Sequence, residues 1–152
     1  MSALAALVQA GFVLDTIEIA ARWSALPAIY GAAVSALRGL PGVVAASAHQ
    51  SHAYTDGACL YFTWASRPPG GTDADAIYVQ AWDAVTIATL ERGGALSHHH
   101  GVGLNRGRFM DAALGAGAMG VLRSLKRALD PNGILNPGKL GLPSSLGPAP
   151  WP

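Results

Sequence analysis

Tyr54-Thr55-Asp56-Gly57-Ala58-Cys59-Leu60-Tyr61-Phe62 joins a turn to a strand-like run. Thr55-Asp56-Gly57 is a hairpin signal, with glycine expected to supply the positive φ of a tight reversal. It separates two strand-like runs, 43–53 and 58–66. Side chains alternate along a strand, so Leu60, Phe62 and Trp64 share one face of the second run and Cys59, Tyr61 and Thr63 the other. The larger apolar set is the natural core face. Tyr61 then points away from it, toward whatever covers the sheet.

Upstream, residues 12–20 alternate in the same way. Phe12, Leu14, Thr16, Glu18 and Ala20 fall on one face, and Val13, Asp15, Ile17 and Ile19 on the other. A helix is expected from Ser24 as N-cap, with Pro27 tolerated in its first turn. Leu26, Ile29, Tyr30, Ala33, Val34 and Leu37 recur at helical spacing before Gly39 and Pro41 stop it. Downstream, 67–72 is a loop, and Asp73 or Asp75 caps a second helix running to about Arg92. Residues 95–100 read as extended, 101–103 as a glycine turn, and 108–114 and 118–130 as helices. Pro131-Asn132-Gly133 ends the last of these, and 143–152 reads as a disordered Pro/Gly-rich tail. The order β-α-β-β-α is a ferredoxin-like α+β arrangement, an antiparallel sheet covered by helices, followed by C-terminal helices.

Composition narrows the function classes. Of 152 residues, 51% are hydrophobic and 12% charged, with a formal charge of +1. So few charges suggest a surface partly covered by another domain or subunit. No Lys/Arg run offers a nucleic-acid footprint, and Arg123, Lys126 and Arg127 sit where they complement a helix C-terminus. The lone Cys59 excludes an internal disulfide framework and favours a reducing compartment. No apolar run is long enough for a membrane span. The apolar opening lacks a basic n-region, so a cytoplasmic location is expected.

Three segments could carry chemistry. In Ser97-His98-His99-His100-Gly101-Val102-Gly103, three adjacent imidazoles precede two glycines that let backbone approach a ligand. Proton transfer, metal ligation completed by His49, His52 or Glu18, and a surface loop without a role all remain open. Tyr61 carries a phenol on the outward strand face, where packing competes with function. The run from Asp130 through Asn136-Pro137-Gly138-Lys139 to Leu140 reads, taken alone, as a helix stop followed by two turns.

Taken in order, these segments resemble FAD-linked oxidases of the vanillyl-alcohol oxidase family, in particular the alkylglycerone-phosphate synthase branch and its bacterial relatives. Asp15-Thr16-Ile17-Glu18 and Trp23 add to the likeness, which spans residues 11–142. The resemblance implies that residues 1–142 are the C-terminal substrate domain of a flavoenzyme. An N-terminal domain, absent here, would hold the adenine dinucleotide part of FAD. It implies roles for Tyr61, His98, His99 and His100 at the flavin face, and cofactor contact from Asn136 and Lys139. In that branch the fatty acid on a glycerone carbon is exchanged for a long-chain alcohol with no net oxidation. The partners implied are an FAD-binding domain in cis or in trans and a small-molecule substrate; homodimers are common in the family.

Two departures follow from the residues. Leu104-Asn105-Arg106-Gly107-Arg108 matches the bacterial relatives better than the eukaryotic synthase, and the closing Ala149-Pro150-Trp151-Pro152 is no peroxisomal signal. Without an FAD-binding domain the chain is expected to be inactive. A non-catalytic binding module and a histidine-based metal protein are the rival readings.

Overall fold

The computed structural model describes residues 3–148; the remainder of the expected tail, 149–152, lies outside the described residues. The chain divides into two compact units, one up to His98 and one from His99 onward.

The first unit contains α1 (Ala3–Gln9), β1 (Val13–Arg22), α2 (Leu26–Arg38), β2 (Val43–Ala53), β3 (Gly57–Ser66) and α3 (Ala74–Leu90). The three strands form an antiparallel sheet in the order β1-β3-β2. In place of a fourth strand, Ala95 makes a single antiparallel bridge to Ala20 at the outer edge of β1. The expected α+β class and helix-covered sheet are present.

Alternation places the core. Ile17 lies opposite Phe62 and Ile19 opposite Leu60, and all four pack with Trp64, Ile29, Leu37, Ile77 and Val85 in one buried cluster. The strand residues of that cluster all come from one face of the sheet, the face that α2 and α3 cover. Asp15 shares it and serves as a polar anchor for α3. Its Oδ2 accepts from Tyr78 Oη at 2.7 Å and Trp82 Nε1 at 3.1 Å.

Two local expectations are corrected. Helix α2 begins one turn-residue later than Ser24 suggests. Its N-cap is Ala25, already in the right-handed helical region and without a side-chain cap, because Ala25 N bonds Arg22 O at 2.9 Å and the backbone is turning before a side-chain cap is needed. Gly57 is likewise needed for a different reason than the one expected. Its φ is not in the left-handed region; instead, a Cβ there would lie 2.2 Å from Ala21 O. Glycine is required by the approach of β1, and the hairpin is closed by Tyr54 N to Gly57 O at 2.8 Å. For α3 the cap falls on the first alternative, with Asp73 Oδ1 accepting from Asp75 N at 2.9 Å.

The second unit holds a 3₁₀ turn (Gly107–Phe109) and α4 (Met110–Leu129). Gly115 (φ 73°, ψ 166°) breaks α4 into the two successive helices expected from the sequence. Of the apolar stripe Met119, Leu122, Leu125 and Leu129, Met119 is buried while Leu125 and Leu129 are exposed. Within the described part of the tail, Ser145 Oγ donates to Gly133 O at 2.8 Å.

Candidate functional site

The outward face of the first unit's sheet is polar. Register puts Thr63 between Thr16 and Ser47, Tyr61 between Glu18 and His49, and Cys59 beside Ala20. The middle row carries the chemistry. Tyr61, half-buried on the central strand, has Glu18 on one side, and on the other its ring stacks on His49 with centroids 5.1 Å apart.

Glu18 is fully buried. A buried carboxylate persists when hydrogen bonds compensate its lost hydration, and here the compensation comes from the histidine segment. Ser97 Oγ donates to Oε2 at 2.7 Å, and His98 N donates to Oε1 at 2.6 Å. The expected extended run through the histidines is therefore wrong. After the Ala20–Ala95 bridge the chain bends at each of 98, 99 and 100, because Glu18 captures the His98 amide and draws the backbone off a strand path.

His98 then packs against the end of the hairpin. Its ring centroid is 5.2 Å from that of Tyr54 and 5.4 Å from that of His52. His52 stands in a bulge: between the pairs Gln50–Leu60 and Ala53–Ala58, Ser51 and His52 together oppose Cys59. A bulge re-aims side chains, and this one sets His52 beside the thiol. Burial, and then the Glu18 carboxylate, push the Cys59 thiol above its ordinary value, against a lowering contribution from the His52 backbone amide. A cavity of about 270 Å³ opens here, its walls including Arg22, Tyr54, Cys59 and His98.

The other sequence candidates belong to the second unit. His99 and His100 are exposed, their rings edge-on at 4.5 Å. Gly101 (φ 77°) and Gly103 (φ 57°) form the expected turn, and the buried Arg106 holds it by donating from Nη1 to Gly101 O at 3.2 Å. Asn136 is exposed at φ 44°, and Lys139 N donates to Asn136 O at 3.4 Å. The turn before them is organised by Asp130, whose carboxylate accepts from Ile134 N at 3.0 Å, Leu135 N at 2.9 Å and Lys126 Nζ at 2.5 Å. Lys126 also donates to Leu135 O. The Lys126 hydrogen bond first, and the amides with it, hold Asp130 below the usual carboxylate range.

The sequence singled out Tyr61 and the histidines as candidates but gave Glu18 only a possible part in a metal site, and it gave Arg106 no structural part. A carboxylate set between Ile17 and Ile19 in a strand was the available signal for Glu18. For Arg106 there was none.

The outward sheet face thus carries a tyrosine-centred polar row, with Ser97 and His98 fastened to its Glu18. Residues 1–140 match the family of FAD linked oxidases, C-terminal domain, and the chain belongs to it. FAD is the cofactor this family implies. Within the family, residues of this chain are 43% identical over 103 positions to the alkyldihydroxyacetonephosphate synthase of Dictyostelium discoideum, covering 68% of this chain and 16% of that protein. The Trypanosoma brucei brucei synthase is 38% identical over 96 residues, 63% of this chain and 15% of its own length. An uncharacterized FAD-linked oxidoreductase of Escherichia coli, YgcU, is 27% identical over 143 residues, 88% of this chain and 29% of that protein. A solved alkyldihydroxyacetonephosphate synthase superposes with a TM-score of 0.52 at 28% identity, covering 80% of this chain and 19% of that one. The chain thus spans less than a third of the length of these relatives. Among the described residues, no helix is long and apolar enough to cross a membrane.

Proposed function

We propose that this chain is the substrate-domain portion of an alkylglycerone-phosphate synthase-like FAD-dependent oxidoreductase, presenting Tyr61 and the 98–100 histidines to the flavin ring. The observation that carries the reading is the Glu18 anchor. One buried carboxylate fastens Ser97 and His98 to the sheet face, with Tyr61 directly opposite it on β3. Two segments separated in sequence thereby meet on one side of the sheet, away from the core.

The residues of this face fit the ring end of the cofactor. Tyr61 and His49 offer a stacked aromatic surface, and a phenol and imidazoles provide donors and acceptors at its rim. When bound, FAD would supply the electrophilic and redox chemistry itself. The chain's part is proton handling and positioning. The Tyr61 phenol can give or take a proton at its Oη, with a substrate carbon as the other party. His98, its backbone held by Glu18, places an imidazole at the hairpin end, against Tyr54 and His52. Exposed His99 and His100 are suited to stabilising developing negative charge on a leaving carboxylate. Asn136 and Lys139 are assigned to the flavin edge on the family likeness alone. The partner this requires is an FAD-binding domain.

A chimera tests the proposal. The segment of the Dictyostelium synthase matched by this chain is replaced by the corresponding residues, and the protein is assayed for bound FAD and turnover. Both are expected, with Tyr61→Phe lowering turnover at least about a hundredfold while FAD remains bound. Full turnover in the Tyr61→Phe chimera would defeat the assignment.

A further inference from the structure

Cys59 and His52 have no part in the proposed proton transfer at Tyr61, yet the fold gathers them with His98. One ligand atom from each lies within 4.8 Å of those of the other two. Three independent features build the cluster: the Ser51–His52 bulge opposite Cys59, the Glu18 hold on the His98 amide, and the contact of the His52 and His98 rings at 5.4 Å. We infer that His52, Cys59 and His98 form a binding site for a divalent, borderline-soft cation of the zinc kind.

The donor set selects the metal. One thiolate and two imidazoles suit zinc and its spectroscopic surrogate cobalt, and exclude the oxygen-seeking magnesium and calcium. Tetrahedral zinc with sulfur at about 2.3 Å and nitrogen at about 2.0–2.1 Å needs its donors about 3.3–3.6 Å apart. Small rotations of two exposed imidazoles supply the closure from the separation seen. The surroundings also fit. Ser51 Oγ lies 3.0 Å from His52 Nδ1, the kind of outer contact that fixes a ligand ring. Cys59 and His98 both line the cavity of about 270 Å³. The charge balances as well. A Cys59 thiolate next to the buried Glu18 carboxylate is costly alone, and a dication offsets both charges. On binding, a metal–sulfur bond forms and the thiol proton leaves to solvent.

The test needs no flavin, so its outcome is independent of the proposed function. The untagged chain, freed of metal, is titrated with Co²⁺ and followed by absorption. One equivalent should produce a cobalt–thiolate charge-transfer band that Zn²⁺ then abolishes. Cys59→Ser should remove the band. His52→Ala, at an exposed position where folding is safe, should weaken Co²⁺ binding at least about tenfold. No thiolate band on the folded chain, or a band that His52→Ala leaves unaltered, would overturn the site.

Discussion

Glu18 and Tyr61 are direct partners across β1 and β3, and the Glu18 carboxylate also receives the His98 backbone amide at 2.6 Å. A single strand residue thus links the tyrosine to the histidine segment. Glu18→Ala should free the His98 amide, leave Ser97 Oγ and His98 N without their acceptor, and cost about 2 kcal/mol. Hydrogen exchange at His98 and urea unfolding followed by tryptophan fluorescence measure both effects. Unchanged exchange at His98 would mean that Glu18 is not the anchor.

Gly57 and Gly31 should respond to alanine in opposite directions. At Gly57 a Cβ meets Ala21 O at 2.2 Å, whereas at Gly31, inside α2, nothing lies within 4 Å. Gly57→Ala is expected to lose about 3 kcal/mol by forcing β1 and β3 apart. Gly31→Ala should gain up to about 1 kcal/mol from helix propensity. Paired urea melts read the difference.

Cys59 is fully buried and its thiol titrates above the ordinary value. At neutral pH it should resist a disulfide exchange reagent in the folded chain and react with one equivalent in denaturant. Rapid reaction without denaturant would show that the bulge end of the hairpin opens.

The Asp130 turn should carry an acid limit. Its folded value lies below the ordinary 3.8, so its stabilisation is complete above about pH 4 and is lost as the pH falls through the folded value. Protection of the Ile134 and Leu135 amides should decline over that acid range. In Asp130→Asn those amides should exchange faster at every pH, with the acid step gone.

Strands and their faces were legible because alternation is a local property. Asp15 and Glu18 show both its reach and its limit. Their positions assign them to opposite faces, which is correct. No local pattern says that Asp15 will meet Tyr78 and Trp82 on α3, or that Glu18 will meet Ser97 and His98, 79 and 80 residues away. The bulge at Ser51–His52 was hidden for a related reason: one extra residue leaves a polar, exposed edge strand looking regular. The histidines were misread as extended because their path is set by a carboxylate elsewhere in the chain. Likewise, helical period identified the Leu125–Leu129 stripe, but period defines a face and not what covers it.

The outward face of β1 and β3, with Ser97 and His98 fastened to it, is the proposed flavin face. Titrating riboflavin 5′-phosphate into the ¹⁵N-labelled chain probes it. Amide shifts should concentrate at Glu18, Tyr61, His49 and residues 97–100, and shrink in Tyr61→Ala. Shifts confined to α2 and α3, or none at millimolar ligand, would contradict it.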